Sequence, residues 1–335
     1  MDWNQGYSAQ YYATFVDAST WRDLERFELL GGTISTDESD LRASASLDCV
    51  DYPKQIERWV RIYLDAKQGQ ESVHIPLFTG LASSPGEKIN GALAQMTLEC
   101  YSVLKPAEDV LLSRGWYAPA GMSGSTLIRQ LLAVAPAPVV ESANAPTLQE
   151  AIIAEDNETN LSMVGKLLNA IDWRLRLLGD GTIHICPRAT EAVARYDALE
   201  NDAIEPTIEK EQDWYSCPNV FRAVADDVSA VARDDSEKSS LSTVNRGREV
   251  WMEETGCNLN SGETIAEYAL RRLKEEQKAA ASATYKRRFN PDITATDLLR
   301  LNYPEQGLVG DYRVLTQSIE LGFGGTTSEK VARVL

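Results

Sequence analysis

A chain of 335 residues with 43% hydrophobic and 25% charged residues is long enough for two or three domains with ample core. Its formal net charge of −17 argues against a nucleic-acid-binding face or an anionic-membrane binder, since either needs basic residues to displace counterions. No run of about 18 apolar residues occurs, and Met1-Asp2-Trp3-Asn4 carries no secretory pattern, so no membrane insertion is expected.

Residues 1–107 pattern as β structure. In 7–16, Tyr7, Ala9, Tyr11, Ala13 and Phe15 fall on one side. Gly31-Gly32 interrupts, and 33–36 lead through Asp37-Glu38-Ser39-Asp40 into 41–50. There Leu41, Ala43, Ala45, Leu47 and Cys49 alternate with Arg42, Ser44, Ser46 and Asp48, the mark of one buried face. Residues 59–66 alternate again, Gln68-Gly69-Gln70 turns them into 72–81, and Ser83-Ser84-Pro85-Gly86 turns those into 89–104. Meandering strands joined by polar turns predict a small barrel or sandwich. Trp3, Tyr7, Tyr11, Tyr12 and Trp21 suit a core or an interface, with core the expectation.

Residues 108–204 read as a smaller α+β unit. Ser123-Gly124-Ser125-Thr126 opens a helix through Leu127, Ile128, Leu131 and Leu132. Residues 133–146, rich in Ala and Pro, predict an exposed link. Asn157-Glu158-Thr159-Asn160 then precedes Leu161, Val164, Leu167, Leu168 and Ile171, a second amphipathic helix. Residues 173–178 and 182–186 flank Gly179-Asp180-Gly181, a strong hairpin signal.

From Glu205-Pro206 to residue 335 strands return, at 217–224, 228–232 and 248–252, with a polar loop over 234–242. Ser261-Gly262-Glu263-Thr264 supplies an N-cap and an acidic first turn. Ile265, Ala266, Ala269, Leu270, Leu273, Gln277 and Ala280 then recur at helical spacing. Residues 283–289 alternate, Asn290-Pro291-Asp292 breaks them, and 298–301 and 312–316 give two more strands. Gly322 to Gly325 lack the Lys-Ser/Thr and helix of a phosphate loop and read as a flexible tail.

Motifs for catalysis are missing. The two histidines, His74 and His184, lie inside strand patterns without ligand-spaced partners, so no metal, cofactor or catalytic residue is assigned. The five cysteines are scattered, with no C-x-x-C pair, which fits a reducing compartment. Asp226-Asp227 and Asp234-Asp235 are the obvious carboxylates for glycoside hydrolysis, but adjacent acids point apart or into water without a pocket to pair them. Arg271-Arg272 and Arg287-Arg288 read as solvated or ion-paired.

The succession near the C-terminus resembles the phage tail baseplate hub family, which includes the late control protein D of contractile-tailed phages. That family closes with an amphipathic helix, a strand, a "PDI-x-x-x-D" turn and a "G-x-Y-x-V" strand with a Ser beyond. Here these are Pro291, Asp292, Ile293 and Asp297, then Gly310, Tyr312, Val314 and Ser318. The family places Gly before that Asp where this chain has Thr296. Residues 33–47, the strand Trp59-Val60-Arg61-Ile62-Tyr63-Leu64, and Pro76-Leu77-Phe78-Thr79-Gly80 are similar to the hub's opening barrel. The Trp173 strand with its Asp-Gly hairpin resembles its middle domain, and Asn245-Arg246-Gly247-Arg248-Glu249-Val250 a strand start of its second barrel.

The resemblance implies a mainly β fold with an α+β insertion: two barrel-like β domains, 1–107 and 205–335, flanking a small α+β domain, 108–204. It implies a structural, non-enzymatic hub at a virion tail tip or baseplate, assembled in the bacterial host cytoplasm. Three copies would form a ring of pseudo-six-fold shape that joins the tail tube, or tube-initiator proteins, to a separate spike beside other baseplate proteins. DNA would pass through the lumen without specific binding, and Asp226, Asp227, Asp234, Asp235 and Glu237 are the candidate lumen-facing acids. The alternatives are an acidic tail-associated glycoside or peptidoglycan hydrolase, or a carbohydrate-binding β module.

Overall fold

A computed structural model describes residues 1–335 except 39–40, 51–56, 91–92, 143–144, 199–202, 226–227, 256, 258, 260–262, 280, 323 and 335. Strands β1 (Ser8–Val16), β2 (Asp23–Asp37), β3 (Arg42–Val50), β4 (Arg58–Gln68), β5 (Glu71–Asn90) and β6 (Leu93–Ser102) pair antiparallel in the order β1-β4-β5-β6-β3-β2. β2 returns to β1 through Tyr12↔Glu28 and Ala13↔Phe27, so the ring of pairings closes and removes free edges among these strands. The alternation of residues 43–49 sends Ala43, Ala45, Leu47 and Cys49 inward, against Phe15, Ile62, Leu64 and Leu98.

Two sequence expectations fail inside this ring. Residues 83–86 are not a turn: β5 runs on through them, with a register shift against β6 between Ser83 and Gly86. Proline lacks a donor but is tolerated at such a bulge. Gly31-Gly32 is likewise no interruption. β2 passes through it with a shift between Leu29 and Gly31, and Gly32 is needed because a Cβ there would meet the Ser46 carbonyl oxygen at 2.5 Å.

The middle of the chain supplies α1 (Lys105–Asp109), β7 (Tyr117–Ala118), α2 (Gly124–Leu132), β8 (Val139–Glu141), β9 (Ile152–Ile153), α3 (Asn160–Ala170), β10 (Trp173–Leu177) and β11 (Ile183–Pro187). Thr159 caps α3 by accepting from the Ser162 amide at 3.1 Å, which satisfies one orphan donor. Leu127, Ile128, Leu131 and Leu132 of α2 share a core with Met163, Val164, Leu167 and Leu168 of α3. Residues 133–146, expected as an exposed link, instead bury Ala135 and Ala137 and place β8 parallel to β11. Proline bars helix there but not an edge strand, and small alanines allow the close approach.

β12 (Ala192–Asp197) and β13 (Ile204–Gln212) lead to β14 (Val220–Ala225), β15 (Val228–Arg233), α4 (Thr243–Arg246), β16 (Trp251–Thr255) and α5 (Ile265–Ala279). β17 (Ala281–Arg288), β18 (Leu298–Tyr303), β19 (Leu308–Leu321) and β20 (Thr326–Arg333) complete the chain. Six of these strands run β12-β18-β19-β20-β17-β13, and β19 also pairs with β2 from Thr316↔Asp37 to Leu321↔Gly32. One 12-stranded sheet therefore spans both ends of the chain. β14, β15 and β16 form a separate sheet, on which α5 packs Tyr268, Ala269 and Leu273 against Phe221, Ala223 and Ala232.

Of the stretch read as a flexible tail, Phe323 lies outside the described residues, while the Gly325 amide donates to the Gly322 carbonyl at 3.1 Å just before β20, which lies between β19 and β17 with Val331 fully buried. Residues 248–250, expected to start a strand of a second barrel, precede β16 of the separate sheet, and 243–246 form the one-turn α4, ended by Gly247 at φ 62°. Thr264 is the N-cap of α5. Its hydroxyl accepts from the Glu267 amide while the Glu267 carboxylate accepts from the Thr264 amide at 2.9 Å, a reciprocal capping box. Ser261 lies outside the described residues.

Candidate functional site

The turn before β18 carries the side chains that tie the three parts of the chain together. Asp297 is fully buried, and its carboxylate accepts from the Thr294 amide at 2.9 Å and the Thr294 hydroxyl at 3.0 Å. On its other side it pairs with Arg174 of β10 at 3.3 Å and Arg176 at 3.5 Å. Thr296 stands at φ 79°, the left-handed region that favours Gly, and its hydroxyl accepts from Arg174. Ile293, from the same motif, is buried in the core beneath the C-terminal strands of the 12-stranded sheet.

The far end of the same hairpin docks on the closed ring. The Thr79 hydroxyl donates to the Gly179 carbonyl at 2.8 Å, while Arg61 and Trp21 donate to the Asp180 carbonyl at 2.9 and 3.0 Å. A Cβ on Gly179 would meet the Pro76 carbonyl oxygen at 1.8 Å, so only glycine fits. The β10–β11 hairpin thus bridges the ring and the turn before β18. Beside it opens a cavity of about 550 Å³ lined by residues that include Glu38, Lys166, Trp173, Arg174, Arg188 and Thr296. Arg188 pairs with Glu38 at 3.1 Å and Arg313 approaches it at 3.9 Å. Burial nonetheless pushes the Glu38 carboxyl up, outweighing the arginines, and pulls the Arg313 guanidinium down.

A second feature faces outward. Trp214, Tyr215 and Trp251 are exposed, Tyr215 at 84%. Arg248 lies over the Tyr215 ring at 5.8 Å and Arg222 over the Trp251 ring at 5.1 Å. Arg246 donates to the Cys217 carbonyl at 2.7 Å. Trp, Tyr and Arg are the residue types that anchor protein interfaces. The N-terminal aromatics behave as core residues: Tyr12 is buried, Trp3, Tyr7 and Tyr11 pack on the ring's core, and Trp21 packs on the middle core.

The sequence-selected acids separate. Asp226 and Asp227 lie outside the described residues. Asp234 is half-buried and accepts from the Ser236 amide at 3.2 Å and Gln277 of α5 at 3.0 Å, so it organises its own loop. Asp235 and Glu237 are exposed, with Asp235 3.9 Å from Arg233. Sequence patterning missed Asp297 as a clamp partner of Arg174 and Arg176, since 121 residues or more separate them. Of the arginines expected to be solvated or ion-paired, Arg287 is ion-paired and fully buried. His74 pairs with Asp65 at 2.6 Å on the surface. All five cysteines are free, and burial pushes the Cys49 and Cys100 thiols to about 11 and about 12.

No family model and no curated protein matches the sequence. Solved structures do match. The 43 kDa tail protein of prophage MuSo2 from Shewanella oneidensis is 12% identical with a TM-score of 0.69, over 97% of this chain and 98% of that one. A tail protein from Neisseria meningitidis MC58 is 14% identical with a TM-score of 0.70, over 97% of each chain. The E. coli c3393 protein, a component of the type VI secretion system similar in structure to the T4 tail proteins gp27 and gp5, gives 8% identity and a TM-score of 0.53 over 92% of this chain and 74% of that one. The chain has the fold of these prophage and bacterial tail proteins.

Proposed function

We propose that this protein is a structural, non-enzymatic hub of a phage or phage-like tail tip or baseplate. The observation that carries this reading is the end-to-end match, 97% of this chain and of the Neisseria tail protein at a TM-score of 0.70. It accounts for the whole chain rather than for one module, which matters because fold alone does not give function. Three copies form a ring that joins the tail tube or tube-initiator proteins to a separate spike and to other baseplate proteins, assembled in the host cytoplasm. The division into 1–107, 108–204 and 205–335 belongs to this reading, with β12 at the end of the middle unit pairing with β18 beyond the boundary.

Two surface features support the assembly. The Trp214, Tyr215, Trp251 and arginine face has the composition of an interface centre and would seat a neighbouring protein of the ring. The net charge of −17 suits a lumen through which DNA slides without binding. Asp235 and Glu237 are the exposed acids of the candidate set. Asp226, Asp227 and Asp234 complete that set in this reading. Light scattering tests it: the expected mass is three times the 37.0 kDa chain. Changing Trp214 and Tyr215 together to Ser should move the mass toward one chain while circular dichroism is unchanged. A monomer at high concentration, with or without the spike, overturns the ring.

A further inference from the structure

At the junction Arg174 and Arg176 of β10 contact Asp297, while Arg188, just after β11, and Arg313 of β19 lie against Glu38. Among the described residues the fully buried Asp297 and the half-buried Glu38 stand against them. The third acid in reach, Asp172 at 3.0 Å from the Arg188 Nε, is 80% exposed. Four guanidiniums against these three carboxylates, one of them largely in water, leave a small local excess of positive charge, in a chain whose total charge is −17. Such an excess is costly away from bulk water.

The donors are also incompletely used. The Nε atoms of Arg174, Arg176 and Arg313 are shielded from solvent and make no hydrogen bond among the described residues. The Arg174 side chain is only 10% exposed. Arg174 and Arg188 both line the 550 Å³ cavity, together with Thr296, Lys166 and the acids Glu38 and Glu108. Lys166 is already held by Glu155 and Glu158 at 2.9 and 3.1 Å, Arg174 by Thr296 and Asp297 and Arg188 by Glu38 and Asp172, so an entering anion shares donors that already have acceptors. A cavity of this volume is within the range of ordinary small-ligand sites. Planar guanidiniums match the paired oxygens of carboxylate and phosphate.

We propose that this interdomain cavity binds an oxyanion through Arg174 and Arg188, and that the bound anion locks the middle unit to the two ends of the sheet. The site does not depend on the tail reading, because it rests on charge and geometry within one chain.

Isothermal titration of sodium phosphate into the full chain, at constant ionic strength set by chloride, tests the site, with sodium acetate in a parallel arm. A saturable one-to-one isotherm is expected. Arg188→Gln should weaken it about tenfold or more, the scale of a lost charge-assisted contact. Glu38→Gln, which removes the internal carboxylate that competes for Arg188, should tighten it. Arg300→Gln, on the surface and paired with Asp311, should leave it unchanged. Phosphate tighter than acetate assigns the site to a free tetrahedral anion; equal affinity assigns it to a carboxylate, such as an acidic side chain of a neighbouring chain. No saturable heat from either anion overturns the proposal, as does an affinity indifferent to Glu38→Gln in a variant whose circular dichroism is native. The Glu38 variant keeps the test decisive if Arg188→Gln fails to fold.

Discussion

Arg287 of β17 and Glu329 of β20 form an ion pair at 2.5 Å with neither side chain exposed. Gln317 donates to the same carboxylate at 2.9 Å and the Tyr285 hydroxyl donates to its second oxygen at 3.1 Å. The carboxylate is therefore satisfied by three side chains from the two strands that flank β20, Arg287 and Tyr285 of β17 and Gln317 of β19. A buried pair contributes little net stability against an apolar replacement, because two desolvated charges offset their attraction. Breaking it is another matter.

Glu329→Gln leaves a buried guanidinium without its counter-charge and should cost about 3–5 kcal/mol in urea unfolding. Replacing both partners, Arg287→Met with Glu329→Leu, should recover most of that loss. A single Glu329→Gln variant with an unchanged urea midpoint would show that the pair is not closed as described.

The same pair explains why part of the fold was hidden from sequence patterning. β20 turns Thr327, Glu329 and Val331 inward, and two of those three are polar, so no apolar alternation marks it as a core strand. Its polar interior is matched by Arg287 and Gln317, which are distant in sequence. Residues 135–141 were hidden for a different reason: their burial depends on α2 and α3 lying alongside, not on local pattern. The ring strands were legible because one face of each is plainly apolar, as in Ala43, Ala45, Leu47 and Cys49. At the junction, the motif residues Ile293 and Asp297 were visible as a resemblance. Their partners Arg174 and Arg176 were not, since nothing local distinguishes a clamp arginine from a solvated one.

Thr296 gives a direct test of backbone strain. At φ 79° a side chain with a Cβ costs about 1–2 kcal/mol relative to a relaxed backbone, and here the Thr hydroxyl offsets part of that by accepting from Arg174. Thr296→Ala keeps the strain and loses the acceptor. Thr296→Gly loses the acceptor but relieves the strain. The glycine variant should therefore be more stable than the alanine variant by about 1 kcal/mol. Equal unfolding midpoints would mean that the turn relaxes out of the left-handed region.

Asp17 supplies a pH dependence. Its carboxylate accepts from the Ser19 and Thr20 amides at 2.9 and 2.8 Å and from both hydroxyls. The Ser19 hydroxyl and the Thr20 amide lead in holding its pKa down, from 3.8 to about 2. A folded-state pKa below the unfolded value of about 3.9 gives stability that is fully present above the unfolded value. It is lost as pH falls toward 2. Nuclear magnetic resonance titration of the Asp17 carboxyl should report the low value, and Asp17→Asn should flatten the acid limb between these two pH values. A titration midpoint near 4 would contradict the hydrogen-bonded loop.

The acids of the loop after β15 separate a structural role from a surface one. Asp234 accepts from the Ser239 hydroxyl at 2.5 Å and from Gln277 of α5 at 3.0 Å, so Asp234→Lys removes a carboxylate that binds its loop to a helix. It should cost about 1–3 kcal/mol, as expected when hydrogen-bonded groups lose a charged partner. Glu237 is exposed, and Glu237→Lys should stay within about 0.5 kcal/mol. Asp235 is exposed as well, but it accepts from the Thr243 hydroxyl besides its weak contact with Arg233, so Asp235→Lys should cost up to about 1 kcal/mol. These two mild variants then isolate the lumen reading from folding. If Asp235 and Glu237 line the channel, tails assembled with both changed to Lys should release DNA more slowly, and the delay should shrink as salt screens the added charge. Ejection at the normal rate from correctly assembled variant tails would put both acids on the outer rim, and the negative charge of the chain would then serve solubility instead.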